Sequence, residues 1–148
     1  MKRSHLLIIM IIGAAVLLVG SYFLMVEVVF GPPAEVKTAL KSDSTLDVSY
    51  RNNRSWLIFS PIKEPAKTGL ILYPEGYQDI RMYAPISRLV AQEGYQLVLL
   101  SRRQKFPPTF EEEEQRIADV MDAFPQIQTW FIGAHTWEAG IAAAYANR

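Results

Sequence analysis

The chain has 148 residues, no cysteine, and fifteen basic side chains that balance fifteen acidic ones. The lack of cysteine excludes disulfide bonds, thiol nucleophiles and cysteine-based zinc sites. A neutral chain lacks the basic footprint of a nucleic-acid-binding protein, and a hydrophobic content of 50% excludes a disordered chain. We therefore expect one small folded domain without a nucleic-acid partner.

The first element is an apolar run, residues 6–26, that contains no charged side chain. About 20 helical residues cross a hydrocarbon core of about 30 Å. Lys2 and Arg3 precede the run and Glu27 follows it, so the positive-inside rule predicts a cytoplasmic N-terminus and an extracytoplasmic remainder. The alternatives are a cleaved signal peptide, whose apolar core is usually about 7–15 residues, and a buried helix of a soluble protein. We predict a single-pass signal anchor in the cell membrane over residues 1–30, with the membrane as a partner, and a domain over residues 31–148.

A predicted β-hairpin follows the anchor. The glycine and two prolines at 31–33 end the helical pattern, and a short helix is expected over 34–41. Residues 46–50 alternate apolar and polar and residues 56–59 are apolar, which predicts two antiparallel strands joined by a turn. The third strand, residues 68–73, is nearly all apolar and is expected to be buried on both faces.

From the third strand onward, helices and strands alternate. Apolar residues at helical spacing over 80–90 predict a helix that ends at Gly94, before a fourth strand at 95–100. Thr109 and Glu112 form a T-x-x-E capping box for the next helix.

Residues 111–114, four consecutive glutamates, are expected to form the solvated first turn of that helix. A fifth strand at 130–133 and an alanine-rich helix at 139–146 complete the pattern. The order predicts an α/β fold in which an antiparallel hairpin leads into a mostly parallel, helix-covered sheet.

Two loops at the carboxyl ends of predicted strands are the places to look for chemistry. One is the loop after the third strand, residues 74–80. The other joins the fifth strand directly to a helix, which is the setting of a nucleophile elbow, where a tight turn exposes the nucleophile above the sheet. The frame of that turn reads Ala134-His135-Thr136-Trp137-Glu138.

On these stretches the sequence resembles the α/β-hydrolase superfamily, specifically bacterial members with a short N-terminal membrane anchor. The resembling stretches are residues 68–76, 83–85, 93–95 and 132–136, the last followed by the alanine-rich helix. The resemblance covers residues 34–148, the N-terminal half to two-thirds of a hydrolase domain. It implies a partial α/β-hydrolase fold and an esterase- or lipase-like activity on a small ester or related acyl substrate, with no cofactor and no metal.

The resemblance also implies site residues. Thr136 stands at the nucleophile position. The backbone N–H groups of Trp137 and Gly76 would form the oxyanion hole, where one donor contributes about 3–4 kcal/mol to lowering the barrier. Glu75, His135 and Glu138 would line the pocket.

Departures from the family pattern predict that the chain as it stands is inactive. Thr136 replaces a serine and its β-branch restricts χ1, while Glu75 and Glu138 replace small residues and bring carboxylates to the oxyanion. A triad needs a histidine within reach of the nucleophile. His5 is expected at the membrane and His135 is next to Thr136, and the acid and histidine of the family lie on later strands. The alternative function is a non-catalytic, truncated relative, a pseudoenzyme that acts as a binding or interaction module.

Structural interpretations stand beside the functional ones. Thr136 is also a suitable helix N-cap, and His135 is expected to pack and bond to nearby backbone. Glu75 and Glu138 also suit an acid/base or metal pair, and Trp130 and Trp137 suit either the core or an acyl pocket. The unpaired edge of the strand at 130–133 predicts self-association with a second copy or pairing with a partner.

Overall fold

The computed structural model describes residues 3–51, 55–74, 78–101, 109–135 and 139–146. Two compact units divide the chain, Met1–Pro33 and Ala34–Arg148. The first unit is helix α1, Arg3–Phe30. Its segment Ile8–Val26 has a mean hydropathy of 2.5 and is the single helix, within the described ranges, that is long and apolar enough to cross a membrane. Its length and composition make α1 a candidate membrane span. An N-terminal signal sequence also meets these two criteria.

The second unit is a five-stranded sheet with helices, counted over the described residues. Its elements in chain order are α2 (Ala34–Ala39), β1 (Leu46–Arg51), β2 (Trp56–Pro61), β3 (Thr68–Tyr73), a 3-10 helix (Ile80–Tyr83), α3 (Ala84–Gln92), β4 (Gln96–Leu100), α4 (Phe110–Ala123), β5 (Thr129–Ala134) and α5 (Ala139–Ala146). The strand order across the sheet is β1-β2-β4-β3-β5. β2 is antiparallel to β1 and β4, whereas β3 is parallel to β4 and β5. The predicted fold class, a hairpin that leads into a parallel sheet, is confirmed.

Helices cover both faces of the sheet. Alternate residues of a strand point to opposite faces, and here they enter two separate clusters. Ile58, Ile71 and Val98 pack with Ile117 and Val120 of α4. On the other face, the sheet residues Leu57, Phe59, Leu97 and Leu99 pack with Ala84 and Ala91 of α3. β4 is buried along its whole length, whereas β3 alternates buried with half-buried residues, so its expected burial on both faces is only partial.

The helix predicted over residues 80–90 begins with one turn of 3-10 helix. Pro85, the second residue of α3, has no N–H and therefore makes no hydrogen bond to the carbonyl of Arg81. The N–H of Ala84 bonds to that carbonyl instead, in the tighter i to i−3 pattern. At the other end, Gly94 adopts a φ of 92°, the left-handed conformation that glycine favours after a helix, as its position predicts.

The first turn of α4 is not wholly solvated, contrary to the sequence prediction. The capping box is present, with both Thr109–Glu112 hydrogen bonds at 3.2 Å. Glu113, however, is only 2% exposed and pairs with Arg116, which is 5% exposed. Glu113 lies one helical turn before the buried Ile117 and therefore shares its inward face.

β5 lies at the edge of the described sheet. It pairs with β3, and no other strand of the described residues pairs with it. Phe131 is 59% exposed on this strand, while the Trp130 ring packs against Phe124 at a centroid distance of 6.3 Å. Trp130 thus packs against the core, which is one of the two roles, core or acyl pocket, that the sequence suggested.

Candidate active site at the carboxyl ends of β3 and β5

The register of β3 and β5 brings the two candidate loops to one edge of the sheet. Tyr73, the last residue of β3, is paired with Ala134, the last residue of β5. The ladder continues one step further, since the N–H of His135 donates to the carbonyl of Tyr73 at 3.0 Å. The chain therefore leaves both parallel strands at the same place, as expected for the carboxyl edge of an α/β sheet.

His135 and Tyr83 form a side-chain contact across this edge. The phenol oxygen of Tyr83 lies 3.0 Å from Nδ1 of His135, and the two rings meet edge to face at 6.3 Å. His135 is exposed, so the expected packed histidine is not found. A neutral imidazole with its proton on Nε2 accepts the phenol O–H at Nδ1, whereas the Nδ1–H tautomer and the imidazolium donate to the phenol oxygen. In either form the contact orients the ring.

Asp79 caps the 3-10 helix that delivers Tyr83 to this edge. Its Oδ1 accepts the N–H of Arg81 at 2.9 Å, and its Oδ2 accepts the Arg81 side-chain Nε–H at 2.7 Å. The hydrogen bond from the Arg81 side chain holds the pKa of Asp79 below its usual value, although partial burial opposes the shift. Asp79 is therefore a charged structural cap at neutral pH, unsuited to donating a proton.

A buried ion pair supports the same edge from the α4 layer. Arg116 Nη1 lies 3.1 and 2.9 Å from the two carboxylate oxygens of Glu113. Its Nη2 donates to the carbonyl of Ser101, just after β4, at 2.6 Å, and the guanidinium carbon lies 5.9 Å from the centre of the Tyr73 ring. Arg116 thus links the ends of β3 and β4. The sequence signal was its spacing of four residues before Val120, on the buried face of the helix.

The comparisons with known proteins decide the family. A family model described as "Alpha/beta hydrolase family" matches residues 69–148, just over half of the chain. The protein belongs to the α/β-hydrolase family. No curated protein gives a significant match to the sequence.

Solved esterases share the fold of this α/β-hydrolase chain. The monoclinic form of an esterase from Pyrobaculum calidifontis aligns with a TM-score of 0.55 and 16% identity over 76% of this chain. A second structure, titled as the hyperthermophilic esterase from the same archaeon, aligns with a TM-score of 0.56 and 16% identity, also over 76% of the chain. At this identity the likeness concerns the fold alone. This chain spans 42% of the length of either esterase chain.

Most of the predicted hydrolase site residues lie outside the described part of the chain. Glu75 and Gly76 lie in the undescribed segment 75–77, and Thr136, Trp137 and Glu138 make up the segment 136–138. Their roles as nucleophile position, oxyanion donors and pocket residues stay predictions. Of the predicted set, the structure places His135, and it adds Tyr83 and Arg116, which sequence reasoning missed. Across the described ranges, no three His, Asp or Glu side chains cluster closely enough to hold a metal ion.

Proposed function

We propose that the protein is a membrane-anchored, esterase-like hydrolase whose site for a small ester or related acyl substrate lies at the carboxyl edge of β3 and β5. The observation that carries the proposal is the register of these strands, which pairs Tyr73 with Ala134 and so brings the carboxyl end of β3 beside the carboxyl end of β5. We further propose that α1 spans the cell membrane, with a cytoplasmic N-terminus and an extracytoplasmic second unit, because Lys2 and Arg3 precede the apolar run.

In this proposal, the loops that follow β3 and β5 supply the nucleophile and the oxyanion donors of the site. In the proposal, Thr136 occupies the nucleophile position, and the N–H groups of Trp137 and Gly76 face the developing oxyanion. The hydrogen bond from His135 N–H to Tyr73 supports this arrangement, since it holds the second residue of the elbow frame against the end of β3. The Tyr83–His135 contact also supports it, since it holds the His135 side chain against the segment that follows β3.

The 148 residues on their own lack a suitable general base for this nucleophile. The sequence contains two histidines, His5 and His135. His5 belongs to α1, and His135 directs Nδ1 at Tyr83 while its backbone N–H bonds to Tyr73. Acyl transfer by a triad needs an imidazole nitrogen within hydrogen-bond reach of the nucleophile oxygen. We therefore propose that this hydrolase-type site, in the 148 residues without a further base, binds an acyl group but does not turn it over.

A second candidate function is a non-catalytic interaction module. The exposed outer edge of β5 favours it, since no other strand pairs with that edge within the described part of the sheet and Phe131 is 59% exposed. An unpaired strand edge is a template for pairing with another chain, including a second copy of this one. The carboxylates of Glu75 and Glu138 also favour binding over catalysis, because a negative charge beside an oxyanion is unfavourable.

One pair of assays separates the two candidates. The full chain is purified in detergent, and hydrolysis of p-nitrophenyl butyrate is compared with that of Thr136→Ala. Binding of butyramide, a non-hydrolysable acyl analogue, is followed in parallel by calorimetry. We expect no Thr136-dependent hydrolysis but saturable binding that Thr136→Trp abolishes. Hydrolysis lost in Thr136→Ala would make this chain an active enzyme, and the absence of both signals would favour the interaction module.

A further inference from the structure

Three apolar side chains form a stripe on the outer face of α3 and the turn before it. Met82, Ile86 and Leu89 are 44, 54 and 60% exposed. Their spacing of four and three residues places them on one side of the helix. The buried residues of α3, namely Ala84, Ser87 and Ala91, face the sheet on the other side. We refer to Met82, Ile86 and Leu89 as the α3 stripe.

Helix α2 is fastened beside this stripe. Arg88 of α3 donates to the carbonyls of Ala39 at 3.2 Å and Lys41 at 2.7 Å, and it forms an ion pair with Asp43. A groove of about 410 Å³ runs between the two helices. Its lining consists of Ala34, Glu35, Thr38, Ala39, Pro85, Arg88 and Leu89. The stripe residue Leu89 is thus continuous with the surface of α2.

The chain holds α2 close to the end of the candidate membrane span. Helix α1 ends at Phe30 and α2 begins at Ala34, so residues 31–33 alone separate them. Four Cα-to-Cα steps reach at most about 14 Å. If α1 spans the bilayer, covalent geometry keeps Ala34, the first residue of α2, within this distance of Phe30, the last residue of α1.

We propose that the α3 stripe docks on the lipid surface of the membrane that α1 spans. The inference rests on the proposed anchoring by α1. Apolar residues on one face of a helix, with polar residues elsewhere on it, are the pattern of interfacial helices that lie in the headgroup region. Because the tether holds α2 near the bilayer, lipid is present at the stripe at a high effective concentration, whatever other partners the protein meets. The second unit would then rest on the membrane through α3.

The test uses spin labels in the full chain, which has no native cysteine. Single variants Ile86→Cys on the stripe, Asp119→Cys on the exposed side of α4, and Leu17→Cys in α1 carry a nitroxide. Each protein is placed at one copy per lipid nanodisc. Collision rates with oxygen, which concentrates in lipid, and with a water-soluble nickel complex are compared.

We expect the ratio of oxygen to nickel collisions to be several-fold higher at position 86 than at position 119, and highest at position 17. A high ratio at 17 with equal ratios at 86 and 119 would overturn docking and leave the anchor intact. A water-like ratio at 17 would overturn the anchor and the docking inference with it.

A second variant set separates lipid from a protein occupant. Leu89→Glu in the labelled Ile86→Cys chain should shift the label towards the aqueous value, whereas Gln115→Glu, an exposed change on α4, should not. Shielding of position 86 that appears only in discs holding two copies would assign the stripe to a second copy and overturn the lipid proposal.

Discussion

The phenol oxygen of Tyr83 lies 3.0 Å from Nδ1 of His135, a contact between residues 52 positions apart in the sequence. It joins the helical segment that follows β3 to the residue that follows β5. Together with the backbone bond from His135 to Tyr73, it fixes the first residue after β5 against the end of β3 and the segment that follows it. The orientation of the His135 ring thus depends on a tyrosine that lies 52 positions earlier in the sequence.

Tyr83→Phe removes this contact and leaves the ring. We expect the free energy of unfolding to fall by about 0.5–1.5 kcal/mol, the net value of one hydrogen bond. The ¹⁵N shifts of the His135 ring should change as well, since Nδ1 loses its partner. Urea denaturation in micelles and ¹⁵N NMR measure the two effects. Tyr95→Phe, at a tyrosine that is 43% exposed before β4, is the matched control. Equal effects of the two substitutions would contradict the assignment.

The Glu113–Arg116 pair makes a second prediction. Both side chains are almost fully buried, so Glu113→Leu leaves an uncompensated guanidinium charge in the core. We expect a loss of about 3–5 kcal/mol in the free energy of unfolding. The double variant Glu113→Leu/Arg116→Met should lose less, because no buried charge remains.

The control for this series is Asp119→Ala, which removes the exposed hydrogen bond from Gln115 at 2.8 Å. Its effect should stay within about 0.5 kcal/mol, as for most surface changes. The urea midpoints of Glu113→Leu, the double variant and Asp119→Ala measure these differences in the free energy of unfolding. A double variant less stable than Glu113→Leu would show that the pair is not a charge-compensating unit.

Gly69 is expected to tolerate no side chain. A Cβ at this position of β3 would approach three ring carbons of Trp130 to within 3 Å. Gly69→Ala should therefore destabilise the protein by about 1–3 kcal/mol through overpacking. Gly140→Ala is the matched control, because a Cβ there meets nothing within 4 Å in helix α5. Helix propensity should make that variant more stable by about 0.5–1 kcal/mol. Thermal midpoints that move in the same direction for both would be inconsistent with this packing.

The lowered pKa of Asp43 predicts part of the loss of folding stability at low pH. Hydrogen bonds from the Thr45 hydroxyl, and from the N–H groups of Thr45 and Leu46, lower its pKa from 3.8 to about 2, with help from Arg88. A carboxyl with a lowered folded-state pKa stabilises the fold above its unfolded value and loses that contribution as the pH falls through the folded value. Asp43→Asn should therefore flatten the fall in urea midpoint between about pH 4 and pH 2. An Asp43→Asn variant that keeps the wild-type fall in urea midpoint over this range would contradict the assignment.

Hydrophobic periodicity predicted the elements of the second unit well because each depends on neighbouring residues. The strand at 68–73 and the helix at 139–146 have the expected bounds. The capping box at Thr109 formed as its spacing predicts. What local pattern missed is tertiary. The charge of Glu113 predicts a solvated position, whereas its spacing to Ile117 predicts the buried face of the helix. In the folded chain Glu113 is buried.

The candidate site was less predictable than the fold. The pairing of β3 with β5 follows from the family resemblance rather than from the spacing of apolar residues. The Tyr83–His135 contact requires both the sheet order and the 3-10 turn that Asp79 caps, and neither is visible in a local pattern. Arg116 had a spacing signal, but its partner Ser101 lies on a different element.

The 148 residues belong to the α/β-hydrolase family, and we propose that the esterase-like site within them has no suitable general base. The most direct test is the intact mass of the full chain after incubation with a fluorophosphonate, which forms a stable adduct with an activated serine or threonine. We expect an unchanged mass from pH 6 to 9 for the folded protein, and the same for Thr136→Ser. A single adduct that peptide mapping places on Thr136, and that Thr136→Ala removes, would contradict it and show that a base is already present.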